Sequence, residues 1–486
     1  MRVVLFALNG SYAHTCLALR CLRRPLEADG FEVVLLERNL RDRRDEILQA
    51  LYAARGDVYS FSCYIWNIEQ TLSLAEDLAA LLPSAKILFG GPEVSFDTER
   101  FLSCAFVDCF VCGEGEEAVL GLCGTLREGG EIPRLVHGRS PDVMGDEGIL
   151  YRDGDYKDGE MLYYESSRGC PYRCAYCLSS VSGSLRAKSV DTVLADMAAF
   201  EALSADIKVI KFVDRTFNFD VDRANAIWRA LLDEKYTKHY HFEICATLLN
   251  EESFAILEKF PSGKLQLEIG LQSTCSETLD AVARHLSPER VIEATKRIHD
   301  VGNVHVHLDL IAGLPYEGYV RFAQSFNEAY FCSDMLQLGF LKLLHGTALR
   351  RDAEKYGYIS MAKAPYTVLE TKWLSRDELY RLSRIADLLD RFYSTGKFAR
   401  SLDFAVRRAP SPFAFYEGLL GHLSATDGRD IRKLSQTDAF RVFYSYASTF
   451  LEADELSCFE EKLHEDYAAH EARRMPRSVI CGKQHS

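Results

Sequence analysis

The sequence predicts an α/β chain in three parts. These are an open, doubly wound (Rossmann-like) parallel sheet over 1–135, a partial (β/α)6 TIM-type barrel over 161–355, and a helical domain over 356–486. A linker at 136–160 separates the first two. Three observations predict this. Apolar runs such as "RVVLFAL" (2–8) are continuous, as parallel strands buried on both faces require. The runs alternate with helical segments, the pattern of a parallel sheet covered by helices. The alternation pauses at "EIPRLVHGRSPDVMGDEGILYRDGDYKDGE", rich in Gly, Asp and Pro, and then resumes.

In the first part, "RVVLFAL" leads into the turn "NGSYAH" and the helical segment "TCLALRCLRRPLEADG". "FEVVLLER", "GDVYSFSCY", "AKILFGGPE" and "VDCFVCGEGE" supply four further strands. Ligands of such sheets sit beyond the carboxyl ends of the strands, which here carry "NGSY", "SFSCYIWN", "GGPEVS" and "GEGE". In the second part, "MLYYESSRG", "IKVIKFVD", "HFEICA", "KLQLEIGLQS", "VHVHLDLIAGLP" and "MLQLGFLKLL" are separated by helical stretches. Six strand–helix units make a partial barrel whose active site is expected at the C-terminal strand ends. The tail has helical periodicity ("SRDELYRLSRIADLLDRFYSTGKF"), no motif assignable to chemistry, and a terminal stretch, "RRMPRSVICGKQHS", expected to be mobile.

With 486 residues, 48% apolar and 26% charged, the chain is expected to be a soluble protein of two or three domains. No run approaches the roughly 18 to 20 apolar residues that span a bilayer. "MRVVLFALNGSYAH" has one Arg and a short apolar run with no cleavage site after it, so it reads as a first strand. A cytoplasmic location is expected. The formal charge of −14 and the lack of a basic block disfavour nucleic acid as a partner. Fifteen scattered cysteines do not form a secreted disulfide framework and suit a reducing compartment with some metal chemistry.

"SSRGCPYRCAYCLSS" (166–180) places Cys170, Cys174 and Cys177 at C-x3-C-x2-C. A structural zinc needs a fourth ligand from a nearby Cys or His pair, whereas the next cysteine downstream, Cys245, stands alone. A [4Fe–4S] cluster on three thiolates leaves one iron open to an outside ligand. Cys104, Cys109 and Cys112, with Cys123 beyond, have a C-x4-C-x2-C spacing that fits a ferredoxin pattern. Cys109 and Cys112 are three apart on a strand, however, and so face opposite sides, which favours core packing.

The triad, with Tyr176 at its aromatic position, resembles the signature of radical S-adenosylmethionine (SAM) enzymes, in which the open iron takes the amino and carboxylate groups of SAM. The turns of the first part resemble the cobalamin-binding domain that precedes many of these enzymes. Ser60 and Ser62 stand before Gly90 and Gly91 at the expected separation. The resemblance departs at the first turn, where Asn9 and Ser11 stand in place of the usual Asp and His. His14 falls at a helix start, where packing or solvent is its expected role. By resemblance, Tyr12, Tyr64, Trp66, Glu93, Gly113, Glu114, Gly115 and Glu116 complete the cobalamin-facing turns. Asp214 is expected to hold the SAM amino group, and Glu243, Glu268 and Gln272 to be further SAM contacts. The segment "DLIAGLPYE" is expected to flank the adenine. His305, His307 and Asp309 share one strand face and read as packing residues that could line the barrel interior.

The order of parts resembles cobalamin-dependent radical SAM enzymes, in a subgroup with its own C-terminal extension. That resemblance implies three cofactors: a [4Fe–4S] cluster, SAM and cobalamin. It implies cleavage of SAM to a 5′-deoxyadenosyl radical, hydrogen abstraction from an unactivated carbon of a small molecule, and methylation from methylcobalamin. It also implies an external electron donor such as flavodoxin or ferredoxin. Radical cyclisation or rearrangement, a tRNA methylthiotransferase, and a non-catalytic cobalamin carrier or sensor are the alternatives.

Overall fold

The computed structural model describes residues 1–140, 144–145, 148–181, 183–470, 475–476 and 479–480. Part of the expected linker, at 141–143 and 146–147, and most of the terminal stretch expected to be mobile lie outside the described residues. Contacts group the chain into two compact units. The first comprises Met1–Leu265, Lys342–Ala353 and Ser360–Thr367; the second comprises Gln266–Leu341, Glu354–Ile359 and Val368–Ser486.

The first unit opens with β1 (Arg2–Asn9), β2 (Glu32–Asn39), β3 (Val58–Ser62), β4 (Lys86–Gly90), β5 (Cys109–Cys112) and β6 (Leu135–His137). They form one parallel sheet in the order β2-β1-β3-β4-β5-β6. The continuous apolar runs are explained by burial on both faces. Val4, Phe6 and Leu8 join the core under α2 (Arg44–Ala54) and α3 (Ile68–Leu81) through Ile47, Leu51, Leu74 and Leu78. Val3, Leu5 and Ala7 join the opposite core through Leu19 and Leu26 of the first helix, α1 (Leu17–Ala28). Phe6, Phe61, Phe89 and Phe110 are register partners on four adjacent strands, with centroids 5.2, 5.4 and 6.2 Å apart. Each such pair adds about 0.5–1.5 kcal/mol to the area it buries. Because every strand is parallel, the carboxyl ends, and the turns they carry, share one edge.

Gly91 follows β4 with φ +108°, and a Cβ there would lie 2.6 Å from the carbonyl oxygen of Cys63. The turn needs both the left-handed backbone and the missing side chain. Gly91→Ala is therefore expected to cost at least about 1–3 kcal/mol. An unchanged Tm would show that the turn tolerates a Cβ.

The same unit holds β7 (Leu162–Tyr164), β8 (Ser167–Arg168), β9 (Arg186–Ala187), β10 (Val209–Phe212) and β11 (His239–Ile244). β10 pairs in parallel with both β7 and β11, and β8 and β9 form a short antiparallel ribbon. The second unit holds β12 (Leu265–Gln272) from Gln266 onward, and there β12, β13 (His305–Ala312) and β14 (Met335–Phe340) run parallel. The second unit also contains the helices Arg376–Leu389, Ala399–Val406, Pro412–Thr426, Gln436–Ala447 and Ala453–His470. Phe392, Phe398, Phe440, Phe443 and Phe459 build their shared core. Among the described residues, no helix is long and apolar enough to cross a membrane.

Candidate active site

The cysteine triad occupies the loop after β8, backed by the loops that follow β10 and β11. Cys170 Sγ lies 3.7 Å from Thr216 Oγ1. Tyr172 donates its hydroxyl to Cys245 Sγ at 3.3 Å, while Asn218 bonds both the amide and the carbonyl of Cys245 at 2.9 Å. The Cys177 amide donates to the Cys174 carbonyl at 3.1 Å, and Leu349 donates its amide to the Ala175 carbonyl at 2.9 Å. Cys174 is buried, whereas Cys170, Tyr176 and Cys177 are half-buried. Burial pushes the Cys170 thiol up, and Cys177 and Cys174 add to the shift by mutual repulsion. Three soft donors gathered on one loop fit an iron–sulfur cluster, which would bind them as thiolates.

Asp214 is enclosed by the chain. Its residue is 0% exposed. One carboxylate oxygen accepts from the Ser166 amide at 2.9 Å; the other takes the hydroxyls of Ser166, at 2.6 Å, and Ser167. Burial pushes the carboxyl up, while the serine donors and nearby Arg223 pull it back down. Through these bonds Asp214 braces the segment that leads into the cluster loop. Glu243 lies at the end of β11, on the same face as His239 and His241, and is half-buried.

The strand-end turns of the first sheet show what each residue touches. Asn9 donates to the His14 carbonyl at 2.9 Å and to Glu37 at 2.7 Å, and Ser11 Oγ accepts from the Ala13 amide at 3.2 Å. His14 pairs through Nδ1 with the Tyr163 hydroxyl, and burial lowers its pKa. This is a packing geometry, and the adjacent helix starts only at Leu17. Ser60 and Ser62 are buried. Tyr64 and Trp66 stack at 4.4 Å and 7°. Trp66 and Tyr12 are 50% and 60% exposed, and such aromatic surface at the strand ends suits a flat macrocycle. Gly90 accepts at its carbonyl from the Cys63 amide at 2.7 Å.

The acids of these turns meet partners within the chain. Glu93 is buried and accepts from the Tyr366 hydroxyl at 2.7 Å. Gly113 takes φ +82°, and Gly115 caps the helix that follows. Glu114 and Glu116 both pair with Arg168, at 2.7 and 3.0 Å, and Glu114 also pairs with Arg186.

In the second unit, Glu268 on β12 is the register partner of His307 on β13. His307 Nε2 lies 3.1 Å from Asp309 Oδ1. The shared face of His305, His307 and Asp309 is as expected. Gln272 has φ +72° where the register shifts after Gly270, a backbone conformation that side chains rarely adopt. Tyr316, in "GLPYE", has φ +65°, and the buried Glu317 beside it accepts from Ser273 at 2.8 Å and Ser325 at 2.6 Å. Sequence reasoning named Glu317 only as the end of "DLIAGLPYE" and missed Tyr366 and Arg168. Of these, only Arg168 carried a signal, as a cation two residues before Cys170.

Comparison with known proteins bears on the domains and the fold. Residues 4–122 match the B12 binding domain, residues 164–329 the radical SAM superfamily, and residues 354–485 the family described as a protein of unknown function (DUF4080). The cobalamin-dependent radical SAM methyltransferase TokK of Streptomyces tokunonensis is 25% identical over 422 residues, covering 75% of this chain and 61% of that protein. The hopanoid C-3 methylase of Methylococcus capsulatus is 26% identical over 320 residues, covering 61% and 60%. The chain thus spans about three fifths of the length of these relatives. The radical SAM methyltransferase TsrM of Kitasatospora setae, solved with cobalamin and a [4Fe–4S] cluster bound, shares the fold. Its TM-score is 0.63 at 15% identity, over 96% of this chain and 99% of that one.

A B12 binding domain followed by a radical SAM domain defines the class, with cobalamin, a [4Fe–4S] cluster and SAM as its cofactors. The chain carries a B12 binding domain, a radical SAM domain and a C-terminal DUF4080 region, in that order.

Proposed function

We propose that the chain is a cobalamin-dependent radical SAM enzyme that methylates an unactivated carbon of a small molecule. The observation that carries this reading is the placement of Cys170, Cys174 and Cys177. They lie at the strand ends of a barrel-type sheet and in the same compact unit as the cobalamin-binding turns. When bound, the cluster with SAM supplies a carbon-centred oxidant, and cobalamin supplies a methyl carrier.

The chain's own share is to hold and orient. The three thiols bind the cluster, and Asp214, Asn218 and Tyr172 fix the loops behind them. The stacked Tyr64–Trp66 pair and Tyr12 offer an apolar face that excludes water from the strand-end edge. An external donor of the flavodoxin or ferredoxin class supplies the electron. The expected result for anaerobically purified protein is about four irons and one cobalamin per chain, with reductant-dependent formation of 5′-deoxyadenosine. Iron without cobalt uptake, or cobalt without iron, would overturn this reading.

The first turn adds a prediction about the lower face of the cobalt. Ser11 stands where a ligating histidine would be, and the ring of His14 is engaged with Tyr163. If the chain holds cobalamin, neither Ser11 nor His14 would supply a nitrogen to the cobalt, and His14→Ala should leave the Co(II) spectrum unchanged. A single-nitrogen splitting that vanishes in His14→Ala would show that His14 is the axial ligand.

A further inference from the structure

We propose that Arg168 is a positioning residue that ties the cluster loop to the "GEGE" turn of the B12 binding domain, so that cobalamin occupancy is felt at the cluster. This rests on the function proposed above. Arg168 lies two residues before Cys170 and distributes its guanidinium among three acids. Nε and Nη2 go to Glu165, at 3.0 and 2.7 Å, while Nη1 goes to Glu114 at 2.7 Å and Glu116 at 3.0 Å. A planar fork with five donors can hold three carboxylates in fixed directions, which a lysine ammonium cannot do.

The ribbon reinforces the tie. Arg168 and Arg186 are register partners on β8 and β9, so two cations sit side by side. Glu114 bonds both of them and offsets their repulsion. Little slack remains between the latch and the cluster ligands. Gly169, between Arg168 and Cys170, has φ +100°, and a Cβ there would lie 3.0 Å from both Leu185 Cα and the Ser184 carbonyl oxygen. On the other side, Glu114 and Glu116 flank Gly115, the N-cap of the helix Glu116–Arg127. A shift of that turn therefore reaches the backbone of the first cluster ligand through one side chain, a contiguous physical link of the kind that carries coupling.

The test is hydrogen exchange on anaerobic, cluster-loaded protein with and without hydroxocobalamin, with iron and cobalt measured on the same samples. In the native chain, cobalamin should slow amide exchange at 169–177 by about fivefold or more, the low end of typical coupling, and in Arg168→Met by under about twofold. Arg168→Lys should fall between the two, because one ammonium reaches some of the acids but not all. Glu116→Gln removes one partly exposed contact and is expected to fold, load both cofactors and show a reduced response.

A full native response in Arg168→Met with both cofactors loaded would overturn the proposal. So would a native chain that loads both and shows no response. If Arg168→Met fails to load, Glu116→Gln decides, and an undiminished response there overturns the latch. A native chain that takes up no cobalt overturns the proposed function itself, and the cobalt measurement distinguishes that case from a silent latch.

Discussion

Replacing Cys170, Cys174 and Cys177 together with alanine should remove essentially all of the roughly four irons of a cubane cluster and abolish SAM cleavage. The same replacement of Cys104, Cys109 and Cys112 should leave the iron in place. The difference is geometric. Cys104 packs against the core under α2 and α3, whereas Cys109 belongs to the core on the other face of the sheet. The Cys112 thiol is turned to Thr98 Oγ1 at 3.1 Å and the Val94 carbonyl at 3.6 Å. A sheet stands between two of these thiols, so they cannot converge on one cluster without unfolding it. Iron per folded chain, measured after anaerobic reconstitution, checks both variants. Loss of half the iron from the second variant would mean that a second cluster exists.

Much of this architecture was legible because parallel sheets write themselves plainly. Continuous runs such as Val3–Leu8 have no polar alternation to confuse them, and each ends in a turn rich in Gly, Asn or Ser. The triad was legible for a different reason: three cysteines in eight residues have few structural uses. The partners of the acids were not legible. Asp214, Glu93, Glu114 and Glu116 all stand at strand ends, where a sequence places ligand contacts, yet each finds a partner distant in the chain. Tyr366 lies 273 residues from Glu93, and no local pattern announces such a bond. Position along a strand tells which end a side chain occupies. Whether its charge faces a ligand or an arginine is decided by tertiary packing.

Asp214 offers the sharpest test of that distinction. Asp214→Ala leaves the Ser166 amide and the Ser166 and Ser167 hydroxyls without their acceptor, in a place where Ser166 is 0% and Ser167 3% exposed. Each buried donor left unpaired costs about 1–3 kcal/mol. Arg223, which donates to the Ser166 carbonyl at 3.1 Å and hydroxyl at 3.0 Å, also loses the nearby carboxylate that favours its charge. Asparagine does not repair the site. One amide oxygen can still accept both hydroxyls, but the amide nitrogen then meets the Ser166 N–H as donor against donor. Both variants should lower Tm and load less than the full complement of iron, because the segment Ser166–Gly169 enters the cluster loop directly. A SAM-binding carboxylate would behave differently, keeping four irons and native stability while SAM affinity alone falls. Iron content and thermal denaturation of Asp214→Ala, read beside SAM binding, decide between them. Full iron with an unchanged Tm and lost SAM binding would return Asp214 to the cosubstrate.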